Sequence, residues 1–181
     1  HGKAAVPGIK QAISSGNADL VAQSMWALER IETLEEEMLG KLARTKDSLP
    51  RIFAMKILAE RKFLSIFQKD LVMEGLQDND RTARRCAADT LTRHLLPRSV
   101  QPLFAAWEEA DEEDTHLIHV IRMALRYQLE SINDWDKLNR QLPETARNRL
   151  ASMAAVVGND KAMAYAATQI SVADIAKLAA T

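Results

Sequence analysis

The residues best suited to chemistry stand together in the middle of the chain, where Asp78, Asn79 and Asp80 precede a run of arginines. Carboxylate oxygens bind calcium, and an EF-hand loop beginning at Asp78 requires glycine at its sixth position and glutamate at its twelfth. Those positions hold Ala83 and Asp89, so the calcium motif fails. Because aspartate and asparagine are also preferred N-cap residues, we predict that this stretch ends one helix and caps the next.

Two histidines form a second candidate site. His116 and His119 are three residues apart and follow a cluster of acidic residues, a spacing that suits a transition metal on a helix. Acidic residues at the start of a helix are equally favoured by the helix dipole, and histidine often serves as an ordinary polar side chain. The sequence therefore favours polar surface residues here and predicts no metal site.

The chain lacks the motifs of the common enzyme classes. It contains no glycine-rich phosphate loop, no H-E-x-x-H and no nucleophile elbow. The single cysteine, Cys86, can form neither an intrachain disulfide nor, by itself, a cysteine-based zinc site. In a predicted helix it is expected to pack as a small hydrophobic residue. We therefore predict a protein that is not an enzyme and needs no cofactor.

Composition favours a helical protein without an obvious charged partner. Of the 181 residues, 47% are hydrophobic and 27% are charged, and the formal net charge is −1. This balance gives no support to nucleic-acid or membrane-surface binding, since both normally show as a basic excess. Glycine and proline are scarce, which favours helices over strands. No apolar run approaches the roughly 18 residues of a membrane span.

Helical periodicity extends along nearly the whole chain and is interrupted by short polar segments rich in capping residues. One unit recurs. In its central copy Asp80 is followed by Ala83, Arg84, Ala87 and Leu91. Further copies begin at Asn17, Asp47 and Asp114, and a weaker fifth contains Ala146, Arg147, Leu150 and Ala154; the successive spacings are 30, 33, 34 and 29 residues.

The columns of this repeat have separate physical roles. The polar first column, Asn17, Asp47, Asp80 and Asp114, is expected to accept hydrogen bonds from free backbone N–H groups at helix starts. The columns of Ala83, Ala87 and Leu91 are spaced by four residues and are predicted to form one buried stripe. The sequence thus predicts a string of helical hairpins.

This pattern resembles HEAT repeats, particularly the short HEAT-like class seen in phycobilin lyases, whose second helix reads approximately D-x-D-x-x-V-R-x-x-A-A-x-x-L. The resemblance covers about residues 2–157 and is strongest around Asp78, Asp80, Arg84 and Ala88. It implies that the arginine of this pattern ties adjacent repeats together by pairing with the capping acid. The matching arginines are Arg51, Arg84 and Arg147, whereas Val21 and Ile118 depart from the pattern.

A looser resemblance concerns "WALERI" and the "AVP" start. These are similar to HEAT segments of large exported bacterial proteins that also carry a dehydrogenase-like propeller and a cytochrome c module. The resemblance implies an exported or periplasmic location and, as an alternative function, an accessory module of a redox protein. No C-x-x-C-H haem motif is present. Since the chain begins without methionine, we expect it to be a fragment of a longer protein.

The HEAT resemblance implies that the second helix of each hairpin lines a concave face. On that register three columns face the concave side, those of Arg85, Asp89 and Arg93, and none of them carries one continuous sign of charge. A nucleic-acid groove should repeat lysine or arginine across several units, so a nucleic-acid-binding or DNA-repair protein is the less favoured alternative. The predicted partner-binding residues are Trp26, Lys56, Arg85, Asp89, His119 and Met123.

Together these patterns predict an all-α protein, a right-handed α-α superhelix of about five HEAT-like hairpins. We expect repeats over residues 1–157 and a C-terminal helical cap, or the start of a further repeat, over residues 158–181. The predicted function is a non-catalytic interaction or scaffold module, which binds another protein or a neighbouring domain of its parent chain.

Overall fold

The computed structural model describes residues 2–169, and this part of the chain is all-α, which confirms the all-α part of the prediction. It contains eleven α-helices and two short 3-10 helices, Gly2–Ala5 and Pro97–Ser99, and no strand. The α-helices are α1 Val6–Ile13, α2 Ala18–Arg30, α3 Glu36–Leu42, α4 Ser48–Glu60, α5 Ile66–Gly75, α6 Arg81–Leu91, α7 Val100–Glu109, α8 Thr115–Leu129, α9 Trp135–Gln141, α10 Glu144–Val157 and α11 Asp160–Thr168.

The chain divides into two compact units, His1–His94 and Leu95–Thr181. In the first unit the helices pack as three successive pairs, α1 with α2, α3 with α4, and α5 with α6. The second helices of the pairs also pack in a row, α2 against α4 and α4 against α6. Buried large side chains from this row, among them Met25, Leu28, Leu58 and Leu91, form much of the core.

The predicted caps set the starts of these helices. The side-chain oxygens of Asn17, Asp80 and Asp114 accept backbone N–H hydrogen bonds in the first turns of α2, α6 and α8. Asp47 also precedes its helix, but its side chain accepts no capping bond, so that prediction was wrong in detail. Pro50 occupies the third position of α4 and, as a proline, has no backbone N–H that could donate to the Asp47 side chain.

The predicted buried stripe is present with one exception. Ala83, Ala87 and Leu91 of α6 are buried, as are the equivalent residues of α4, α8 and α10. The exception is Leu20 on α2, which is 41% exposed. Since α2 is the first helix of the row in the described part of this unit, no earlier second helix covers its outer side.

The Asp78–Asp80 segment is a structural turn that also joins two helix pairs. Arg51 Nε and Nη2 donate to the two carboxylate oxygens of Asp78 at 2.7 and 2.8 Å, and the Asp80 N–H donates to Asp78 Oδ1 at 2.8 Å. Burial alone would raise the pKa of Asp78, but these hydrogen bonds outweigh it and hold the pKa below its ordinary value. Arg51 of α4 thus connects its helix pair to the next one through Asp78, whereas the carboxylate that caps α6 is that of Asp80.

Arg84 and Arg147, the other two arginines that match the repeat pattern, donate to backbone carbonyls. Arg84 Nη1 donates to the carbonyls of Asp78 and Asn79, and Arg147 Nε donates to that of Leu142. Arg51 Nη1 does the same toward the carbonyls before α4. Each arginine thus fastens its own helix to the loop that precedes it.

The second unit is built around α7, α8 and α10, which pack against one another, with α11 on α10 and α9 on α11. Trp135, at the start of α9, is buried and stacks on Tyr165 of α11 at a centroid distance of 5.6 Å. Helix α10 ends at Val157 with Gly158 in the left-handed conformation, at φ 70°. The segment predicted as a helical cap or the start of a further repeat contains α11, while its residues 170–181 lie outside the described part.

Candidate interaction surface

Four of the six predicted partner-binding residues lie on the row of second helices in the first unit. Trp26 is on α2, Lys56 is on α4, and Arg85 and Asp89 are on α6. All four are at least partly exposed, because the buried stripe on each helix faces the core. We call the outer side of α2, α4 and α6 that these residues share the row surface.

Phe53 joins the aromatic and basic parts of the row surface, and sequence reasoning missed it. The ring of Trp26 meets Phe53 edge-on, with centroids 6.4 Å apart and an interplanar angle of 83°. Lys56 Nζ lies 5.1 Å from the Phe53 centroid, within the range of a cation–π contact. The available signal was a large aromatic residue three positions before Lys56, which places both on one side of α4.

Charged pairs border this aromatic group. Arg30 reaches from α2 to Glu60 of α4 at 3.3 Å, and its guanidinium also lies 5.0 Å from the Trp26 centroid. Just after α6, Arg93 approaches Asp89 at 3.5 Å. These ion pairs are largely exposed, and such pairs stabilise a fold by about 1 kcal/mol or less. Their charges are therefore available to a partner at little cost.

Cys86 lies half-buried on α6 between the charged residues of the row surface. Burial raises the pKa of its thiol, the neighbouring Lys56 and Arg85 lower it, and Asp89 and Asp80 raise it again, so that the net shift is upward. A thiol with a raised pKa is a weak nucleophile at neutral pH. The geometry fits the predicted packing role.

The other two predicted residues, His119 and Met123, lie on α8 in the second unit. Both are exposed, Met123 by 50%, and they are four residues apart, so they share one side of the helix with Tyr127. His116 is also exposed on α8. Within residues 2–169, no group of three or more histidine, cysteine or acidic side chains is arranged to hold a metal ion.

The described helices were compared with the requirements of a membrane span, and the sequence with known proteins. Among the described residues, none of the helices combines the length and the apolar character that crossing a bilayer would require. No protein-family model, curated protein or solved structure matches this sequence.

Proposed function

We propose that this chain is a HEAT-like α-solenoid of about five helix pairs, with repeats over residues 1–157 and a cap or further repeat over residues 158–181. Its function is non-catalytic interaction, in which the row surface binds another protein or a neighbouring domain of the parent chain. The repeat register supports the proposal. Helices begin directly after all four residues of the first column: Asn17, Asp47, Asp80 and Asp114.

The observation that carries the proposal is the composition of the row surface. Trp26, Phe53 and Lys56 form a connected aromatic and basic group on side chains that the buried stripe does not use. Tryptophan and arginine are enriched among the residues that dominate protein–protein binding energy, and Arg30 packs over Trp26. Aromatic residues in the middle with charges at the border are the usual arrangement of such interfaces.

A site-specific photocrosslinker tests this proposal. A benzophenone amino acid is placed at Lys56 in the full parent protein, expressed in the organism that produces it, and adducts are identified by mass spectrometry. The control position is Glu37, which is exposed on α3. We expect one dominant protein or intramolecular adduct from Lys56 and none from Glu37, and we expect Trp26→Ala with Asp89→Lys to abolish it. Equal adducts from both positions, or none from Lys56, would overturn the proposal.

A further inference from the structure

A second surface lies between the end of α4 and the first turn of α5, where three large apolar side chains are exposed. Phe63 is 78% exposed, Ile66 is 79% exposed, and Phe67 is 36% exposed. Single exposed apolar residues are common, but three large ones within five residues of the chain point to a binding surface. We call these three residues the apolar tip.

The backbone that presents the apolar tip is firmly held. Ser65 and Gln68 form a reciprocal capping box at the start of α5, with Gln68 N–H donating to Ser65 Oγ at 3.1 Å. At the end of α4, Arg61 donates through two nitrogens to the carboxylate of Glu29 at 2.9 and 2.5 Å. Phe63 and Ile66 are therefore exposed on backbone that these hydrogen bonds hold on both sides.

An acidic cleft of about 460 Å³ adjoins the apolar tip. Its lining residues are Glu29, Glu32, Leu34, Arg61, Phe63, Ser65 and Gln68. Arg61 neutralises Glu29, but Glu32 makes no ion pair within residues 2–169, and Glu36 accepts hydrogen bonds from the lining side chains Ser65 and Gln68. Glu32 and Glu36 therefore leave an excess of negative charge in and beside the cleft.

The ring of Phe63 already accepts a cation. Lys62 Nζ lies 5.4 Å from its centroid, within cation–π distance. A basic side chain of a ligand could take the same ring face with its charge toward Glu32, and it would compete there with Lys62. The apolar side chains next to it would cover Phe63 and Ile66.

The size of the apolar tip indicates the kind of ligand. Three side chains with these exposures offer roughly 400 Å² of apolar area, about half of the roughly 800 Å² per partner that a stable protein–protein interface buries. A second copy or a rigid globular partner would therefore find too little area here. A short extended segment, which fills a cleft and covers a few anchors, fits better.

We propose that this cleft binds a short peptide segment in which an arginine or lysine is flanked by large apolar residues. The charged side chain enters the cleft toward Glu32 and lies over Phe63, and the apolar residues pack on Phe63 and Ile66. This site is separate from the row surface, and it does not depend on the chain being a solenoid.

Fluorescence anisotropy with labelled synthetic peptides in a glycine–serine frame tests the proposal. The first peptide carries arginine between two leucines, the second replaces the arginine by glutamate, and the third replaces the leucines by serine. We expect a Kd of about 10–100 µM for the first peptide and weaker binding by about tenfold for the other two. Binding that is equal for all three peptides, or undetectable at about 1 mM, would overturn the proposal.

Variants of the protein give an independent set of outcomes. We expect Phe63→Ser with Ile66→Ser to weaken binding of the first peptide about tenfold, and Glu32→Gln about threefold. Removal of the competing cation in Lys62→Ser should instead strengthen binding about twofold to threefold. Met163→Ser, at an exposed apolar residue of α11, is the matched control and should change nothing. A variant series in which Lys62→Ser weakens binding contradicts the proposed position of the ligand's cation.

Two other ligands would replace the peptide if the proposal is wrong. Binding to phosphatidylcholine–phosphatidylglycerol vesicles that is lost in the Phe63→Ser, Ile66→Ser variant would assign the apolar tip to a membrane surface. Dimerisation in analytical ultracentrifugation that the same variant abolishes would assign it to self-association. Either result overturns the peptide site but leaves the crosslinking test at Lys56 unaffected.

Discussion

Glu32 shows how a single residue can favour a site over the stability of the fold. It lies two residues after the end of α2 and has a φ of 56°, the only positive φ among the described non-glycine residues. The neighbouring N–H groups complete a Schellman motif, with Thr33 donating to Leu28 and Glu32 to Glu29, and that motif normally uses glycine. The left-handed conformation costs a side-chain-bearing residue about 1 kcal/mol. Its carboxylate lines the acidic cleft, which offers a reason for keeping glutamate there.

Replacing Glu32 by glycine tests how much stability its left-handed conformation costs. We expect Glu32→Gly to raise the free energy of unfolding by about 0.5–1 kcal/mol, because glycine adopts the left-handed conformation without strain. The measurement is urea denaturation followed by circular dichroism. Glu112→Gly, at an exposed loop residue without positive φ, should instead leave stability unchanged or lower it through the added freedom of the unfolded chain. Destabilisation by Glu32→Gly would show that its side chain contributes more to the fold than its conformation costs.

The Arg51–Asp78 pair gives the first helix unit a defined response to acid. The two side chains are only 16% and 10% exposed, and the pKa of Asp78 is held below its ordinary value. A carboxyl with a lowered folded pKa contributes stability that is complete above its unfolded pKa, about 3.9, and is lost as the pH falls through the folded pKa. The contribution is therefore present at neutral pH and disappears in acid.

Asp78→Asn removes the charge while an amide oxygen can still accept the Asp80 N–H. We expect the variant to lose about 2 kcal/mol of unfolding free energy at pH 7, and we expect the difference from the native chain to shrink once the pH falls below about 4. Urea denaturation at a series of pH values measures it, with Glu112→Gln as the control at an exposed carboxylate. A difference that stays constant from pH 7 to below the folded pKa would show that the ionised pair is not its source.

At the scale of elements, Gly75 allows α5 to approach the row of second helices. A Cβ atom at Gly75 would lie 2.6 Å from Met55 Sδ and 3.0 Å from Ala87 Cβ. Met55 and Ala87 are both buried, so α4 or α6 would have to move. Helices α4, α5 and α6 thus pack closely at Gly75 because glycine has no side chain there.

Gly75→Ala should therefore destabilise the protein by about 1–3 kcal/mol despite the better helix propensity of alanine. Gly8→Ala is the matched control, since Gly8 lies in α1 with nothing within 4 Å of the added Cβ, and we expect it to stabilise by about 0.5–1 kcal/mol. Thermal denaturation of both variants gives the comparison. If both substitutions raise the Tm, helix propensity dominates at Gly75 and the close approach of α5 does not.

Local patterns predicted the elements well because capping and periodicity depend on nearby residues. Asn17, Asp80 and Asp114 cap helices as expected, whereas Asp47 does not, since its interaction depends on Pro50. The exposure of Leu20 depends on which neighbour covers α2, and no repeat column contains that information.

Surfaces were harder to predict than elements for the same reason. The repeat register points to Trp26 and Lys56, but Phe53, which joins them, falls outside the columns expected on the concave side. Phe63 and Ile66 fit an ordinary helical apolar pattern, yet they lie beyond the end of α4 and in the first turn of α5, where no helix covers them. A periodicity identifies which residues share a side of a helix, and only the packing of the chain decides whether that side is covered.

At the scale of the whole molecule, the first unit has what an independent folding unit needs. Its three helix pairs pack on one another, and its buried residues include Met25, Leu28, Ile57, Leu71 and Leu91. The Arg51–Asp78 and Arg61–Glu29 pairs connect its successive helix pairs with both partners inside the unit.

A fragment of residues 1–94 should therefore fold alone. We expect a helical circular dichroism spectrum and one cooperative urea transition, with a smaller m-value than that of the full chain because less surface is exposed on unfolding. Asp78→Asn and Gly75→Ala should destabilise the fragment by about the same amounts as they destabilise the full chain, since every partner named for them lies within residues 1–94. A fragment that unfolds without cooperativity would show that the helix pairs of the first unit depend on residues beyond His94.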